Sequence, residues 1–193
     1  MLDLTKSAGA EHLTGISILQ AGVAWKTSGG GQKGWRGKLK RAKGTDLDLA
    51  CVALSGGRAV RMAWFDNEDA FDDGSLTTLG DNTTGRGKGD DETVVARLDD
   101  IPAQVDALVF IVSAYKEGVS FDKVEAVTLN VYDGGPSGTL LGSYWPDIDS
   151  RKNACVMATA KRGADGWTIQ IVNKMGDART RDALLQLAKR HAA

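Results

Sequence analysis

With 193 residues, 42% of them hydrophobic, the chain is long enough for one substantial core and not obviously for two. A formal charge of −1 argues against work done mainly by bulk attraction to nucleic acid or membrane. The two cysteines, Cys51 and Cys155, make neither a metal pattern nor a disulfide framework, and no apolar run is long enough to span a bilayer.

The opening Met1-Leu-Asp-Leu-Thr-Lys has no apolar signal region, so a soluble cytoplasmic protein is expected. Gly15 to Trp25 reads as the first substantial strand. Lys26 to Gly44 follows, rich in glycine and base: Lys33, Arg36, Lys38, Lys40, Arg41 and Lys43, with no acid. Such a run is ordinarily a solvated loop. Its functional reading is an anion or nucleic-acid contact, with Trp35 available for stacking.

Thr45 to Leu54, T-D-L-D-L-A-C-V-A-L, alternates as a strand does. Asp46 and Asp48 then share one face while Leu47, Leu49 and Cys51 take the other. Two aspartates side by side need a counter-charge, either the basic run before them or a bound cation. Cys51 reads as a small buried core residue. Ser55-Gly-Gly-Arg is a tight turn into a return strand, Ala59 to Phe65. Asp66 to Ser75 is an acidic loop without the ligand spacing or distal Glu of an EF-hand.

Gly80 to Glu92, G-D-N-T-T-G-R-G-K-G-D-D-E, is the most informative stretch. Asp81, Asn82, Asp90, Asp91 and Glu92 bracket its four glycines. Glycine permits φ > 0 and lets carbonyl oxygens turn inward beside the carboxylates. Hard oxygens of both kinds on a loop suit Ca²⁺, which takes about six to eight of them. A solvated acidic turn is the plainer alternative; the bracketing of glycine by acid favours the metal. From Asp66 to Glu92 nine acidic residues face only Arg86 and Lys88.

Thr93–Leu98, Ala107–Ser113, Val124–Tyr132, Leu140–Trp145, Ala154–Lys161 and Trp167–Val172 continue as strands, with Arg162 to Gly166 a hairpin turn. The tail changes period: Asp177 can cap a helix whose stripe is Ala183, Leu184, Leu187 and Ala188, with Lys189 and Arg190 near its C-terminus. Many short strands predict a mainly β fold, a two-sheet sandwich with a few short helices, the C-terminal one among them. Residues 1–193 are expected to form one domain. Catalysis has little support. Gly85-Arg-Gly-Lys-Gly lacks the Ser or Thr of a P-loop, and His12 and His191 have no triad or zinc-like company.

D-L-D-L at 46–49, W-F-D-N at 64–67 and G-D-N-x-T-G-x-G-x-G-D-D-E at 80–92 together resemble the TerD family of tellurium-resistance and stress proteins. Residues 98–113, 120–124 and the Trp167 strand fit the same pattern, so the resemblance covers nearly the whole chain. It implies a sandwich that binds Ca²⁺ through loops at one end. The ligands it implies are Asp46, Asp48, Asp81, Asn82, Asp90, Asp91 and Glu92, with Asn67 a weaker candidate. Arg86 and Lys88 stand where relatives carry acids, and Lys26 where an Asp commonly follows the first tryptophan. Each such charge weakens a nearby divalent site by about 1 kcal/mol. The implied function is a cytoplasmic Ca²⁺-binding stress-response protein, not an enzyme, that associates with other proteins in a metal-dependent way. A nucleic-acid or nucleotide binder using Lys33–Lys43 is the alternative.

Overall fold

The computed structural model describes residues 1–6, 8–27, 46–79, 89–135 and 138–192. Alternating and continuous apolar runs set eleven strands among these residues. They are β1 (Glu11–His12), β2 (Ile18–Thr27), β3 (Asp48–Ser55), β4 (Arg58–Ala63), β5 (Leu76–Leu79), β6 (Glu92–Arg97), β7 (Ala107–Ser113), β8 (Val124–Asp133), β9 (Thr139–Tyr144), β10 (Ala154–Gly163) and β11 (Gly166–Gly176). Helix α1 (Arg181–Arg190) closes the order, and a 3-10 turn, Phe121–Lys123, precedes β8. All strand pairs are antiparallel. One sheet runs β1-β11-β10-β7-β3-β4 and the other β5-β6-β2-β8-β9.

Two apolar layers follow from the period of two. Leu19, Ala21, Val23 and Trp25 of β2 meet Leu49, Cys51 and Ala53 of β3, with Phe110, Leu129 and Met157, between the sheets. The other face of the six-stranded sheet carries Ala50, Val52, Leu54, Val109 and Ile111. Leu184, Leu187 and Ala188 of α1 cover it. That cover explains why β7 is buried at every position, although an antiparallel sheet commonly leaves one face wet. Cys51 and Cys155 are both buried and unpaired.

The helix starts later than its sequence suggests. Thr180 is the N-cap, its hydroxyl accepting from the Ala183 amide at 3.2 Å. Asp177 instead pairs with Lys152 at 2.7 Å. The β3–β4 turn is as expected, with Gly56 and Gly57 both at positive φ (55° and 73°).

Both flanks of the sandwich are strapped. On one, residues 64–70 lead from β4 to β5, where Glu68 O accepts from Thr78 N at 2.8 Å. On the other, Leu2 N donates to Leu141 O of β9 at 2.8 Å, while β1 pairs with β11. Gly142 admits this N-terminal strand of chain, since a Cβ there would stand 3.1 Å from the Leu2 carbonyl oxygen.

Candidate functional site

Register places the acidic segments at one end of the sandwich. Asp48 opens β3 opposite Ser113, the last residue of β7. Glu92 opens β6 opposite Val23, and Leu79 ends β5 opposite Thr93. The corner from Trp64 to Asp69 joins the β3–β4 end to the β5–β6 end, so these openings lie together.

Within that end the residues take different directions. Asp46 and Asp48 are half-buried while Leu47 and Leu49 are buried, so the two aspartates share the face turned away from the second sheet. On that face Tyr115 reaches across β3 to Trp64 (ring centroids 5.4 Å apart) and Phe65 (5.0 Å). Asn67 holds the corner: its backbone exchanges two hydrogen bonds with Trp64 (3.0 and 3.1 Å), and its Nδ2 donates to Met62 O at 2.9 Å.

Asp90, Asp91 and Glu92 fan out. The Asp90 carboxylate lies across the outer face of β2 and its Oδ1 accepts from Asn130 Nδ2 at 2.6 Å. Asp91 continues the β2 ladder: its amide donates to Val23 O at 2.8 Å and its Oδ2 accepts from Trp25 N at 3.2 Å. Glu92 has the parity of Val94 and Ala96 and so projects between the sheets. Asp91 and Glu92 are 8% and 6% exposed, an unusual state for carboxylates. Burial pushes the Asp91 carboxyl up; the Trp25 amide opposes this, and the neighbouring Asp90 charge adds to it.

Asp81, Asn82, Arg86, Lys88 and the basic run Lys33–Lys43 lie outside the described residues. Among the described residues no three His, Cys, Asp or Glu side chains gather as a metal group. The donors present nevertheless fit a hard cation in kind. All are oxygens, two of the carboxylates are buried, and the buried Ser113 hydroxyl opposite Asp48 has no hydrogen-bond partner among the described residues.

Sequence reasoning missed the residues that hold Asp90. Asn130 Oδ1 accepts from Ser143 Oγ at 2.6 Å, and the Tyr132 hydroxyl lies beside the Asp90 carboxylate. Burial and then that carboxylate push the Tyr132 hydroxyl up to about 12. Gly22, mid-strand in β2, was the available signal, because an isolated strand glycine marks a close approach. A Cβ there would overlap the Asp90 carboxyl group.

The TerD domain family model matches residues 5–191. Tellurium resistance protein TerZ of Serratia marcescens is 30% identical over 175 residues, covering 90% of this chain and 88% of that protein. Stress response protein SCP2 of Bacillus subtilis is 28% identical over 194 residues, covering 95% and 93%. In fold, the chain superposes on the crystal structure of a homologue of telluride resistance protein (TerD) from Streptomyces coelicolor. The TM-score is 0.64 at 19% identity, over 88% of this chain and 98% of that one. A match over nearly its whole length establishes that the chain belongs to the TerD family.

Proposed function

We propose that this chain is a cytoplasmic Ca²⁺-binding stress-response protein that works through metal-dependent association with other proteins and not by catalysis. The observation that carries the reading is the run Asp90-Asp91-Glu92, with two of its three carboxylates buried at the loop end of the sandwich. Consecutive acids held out of water favour a cation that neutralises them. Asp91 and Glu92 would supply carboxylates, with Asp46 and Asp48 from β3 and Asp81 and Asn82 from the preceding loop. The bound ion would supply charge neutralisation, and a partner would read the metal-loaded end of the sandwich. Among the described residues no helix is long and apolar enough to cross a membrane. The family names give no enzymatic activity.

Calorimetry tests this directly. Ca²⁺ binding the folded chain with a Kd of about 10 µM adds, at 1 mM, about 2.7 kcal/mol of stability. The melting temperature then rises by roughly 5–10 °C. Mg²⁺ is expected to do much less, since it demands a tighter octahedral shell. Absence of both titration heat and a calcium-dependent melting shift would reject the reading.

A further inference from the structure

The three consecutive acids do not share one task. Asp90 is turned away from Asp91 and Glu92, onto the outer face of the five-stranded sheet. It rests on the bare backbone of Gly22, which pairs directly with Asn130. A Cβ at residue 22 would stand 2.9 Å from the Asp90 Cβ and run into its carboxyl group. On that face Asn130 Nδ2 donates to the carboxyl at 2.6 Å, and the Tyr132 hydroxyl lies near enough to feel its charge. Asn130 is itself fixed by Ser143 Oγ at 2.6 Å, so β8 and β9 both contribute. These contacts hold the carboxylate against the outer face of the sheet, away from the space between the sheets into which Glu92 projects.

We propose that Asp90 is an anchor and not a ligand, and that Gly22, Asn130, Tyr132 and Ser143 are positioning residues for the cation site. This rests on the calcium reading above. Pinned on β2 and β8, Asp90 fixes where the chain re-enters the sheet. The next residue is thereby placed so that its amide and carboxylate both engage β2, at Val23 O and Trp25 N. Asp91 and Glu92 are then set in place on β2 and at the start of β6 before any ion arrives. Outer partners that orient a metal ligand typically change affinity by about 10–100-fold when removed.

The full-length protein is titrated with Ca²⁺ by calorimetry, well below its melting temperature, as wild type and as Asn130→Ala, Tyr132→Phe, Gly22→Ala, Asp90→Asn and Asp91→Ala. Amide exchange at Trp25, Asp91 and Glu92 is followed in parallel in EGTA. The expected result is a roughly tenfold weaker Kd for Asn130→Ala and Gly22→Ala, and a smaller loss for Tyr132→Phe. Exchange in the calcium-free protein is faster in the same variants. Asp90→Asn, which keeps an acceptor for Asn130, is expected to weaken binding far less than Asp91→Ala. The idea is overturned if Asp90→Asn matches Asp91→Ala while Asn130→Ala and Tyr132→Phe bind unchanged or tighter, since Asp90 then ligates the ion. A purely structural role lowers melting temperatures and leaves Kd alone, which also overturns it. If wild type binds no Ca²⁺, the functional reading fails. The exchange data in EGTA then still decide whether Asp90 anchors the chain.

Discussion

Asn153, just before β10, is fully buried and stitches three segments together. Its Oδ1 accepts from Ala178 N at 3.0 Å, and its Nδ2 donates to Ala178 O at 3.3 Å and Ala114 O at 3.4 Å. Asn153→Ala therefore removes the acceptor of an amide whose residue is 1% exposed. A stranded buried group costs about 1–3 kcal/mol. Taking about 2 kcal/mol for the short bond and about 0.5 for each long one, the expected loss is about 3 kcal/mol. That is a large part of a typical total of about 5–15 kcal/mol. The melting temperature should fall by about 6–12 °C. Equilibrium urea unfolding measures it as a lower midpoint at unchanged slope. Asn153→Asp separates the two halves of the interaction. The new carboxylate still accepts from Ala178 N but faces the carbonyls of Ala114 and Ala178, which raises its folded-state pKa. The pH-linked part of its deficit is thus full well above that raised pKa, shrinks as pH falls through it, and is gone below the unfolded value of about 4. A loss below about 1 kcal/mol for Asn153→Ala, or a deficit in Asn153→Asp that grows as pH falls, would refute this account.

Leu187→Ala opens a cavity under α1 and should cost about 3 kcal/mol. A Cβ on Gly176 would stand 2.7 Å from Leu187 Cδ1, so Gly176→Ala is destabilising alone and less than additive with Leu187→Ala, as urea unfolding of the double variant will show. Asp91→Asn keeps an acceptor for Trp25 N and removes a charge that burial disfavours, so it should raise the melting temperature in EGTA while weakening Ca²⁺ binding. Consistently, the wild-type contribution of Asp91 to calcium-free stability improves as pH falls through its raised folded-state pKa, and a fall in melting temperature for Asp91→Asn in EGTA would contradict the burial argument. Burial pushes the Cys155 thiol up to about 12 and raises that of Cys51 as well, so neither should react with a thiol reagent until denaturant is added.

The sandwich was legible wherever the period of two was clean. The split of Asp46 and Asp48 from Leu47, Leu49 and Cys51 was read correctly because one residue's register sets every neighbour's face. β5 was not legible: Leu76-Thr-Thr-Leu79 is four residues long between turn formers, and only pairing with β6 makes it a strand. The helix start was misplaced because Asp177 and Thr180 are both good caps. Asn153, distant in sequence, takes both backbone groups of buried Ala178 and so holds the chain out of the helix up to Thr180. The acids of the site were visible as a cluster, but their directions were not. Asn130, Tyr132 and Ser143 occupy ordinary outward positions of β8 and β9, so nothing local distinguishes them from residues that merely face water.

The N-terminal segment has a practical corollary. Leu2 and β1 hem the free margins of two sheets on the same flank, the first at β9 and the second at β11. Shortening the chain past His12 would therefore bare two unpaired ladders at once, side by side. Such margins recruit further strands, so the trimmed protein would tend to polymerise edge to edge before it lost its core. An affinity tag is better attached after α1, where it does not pull on that seam.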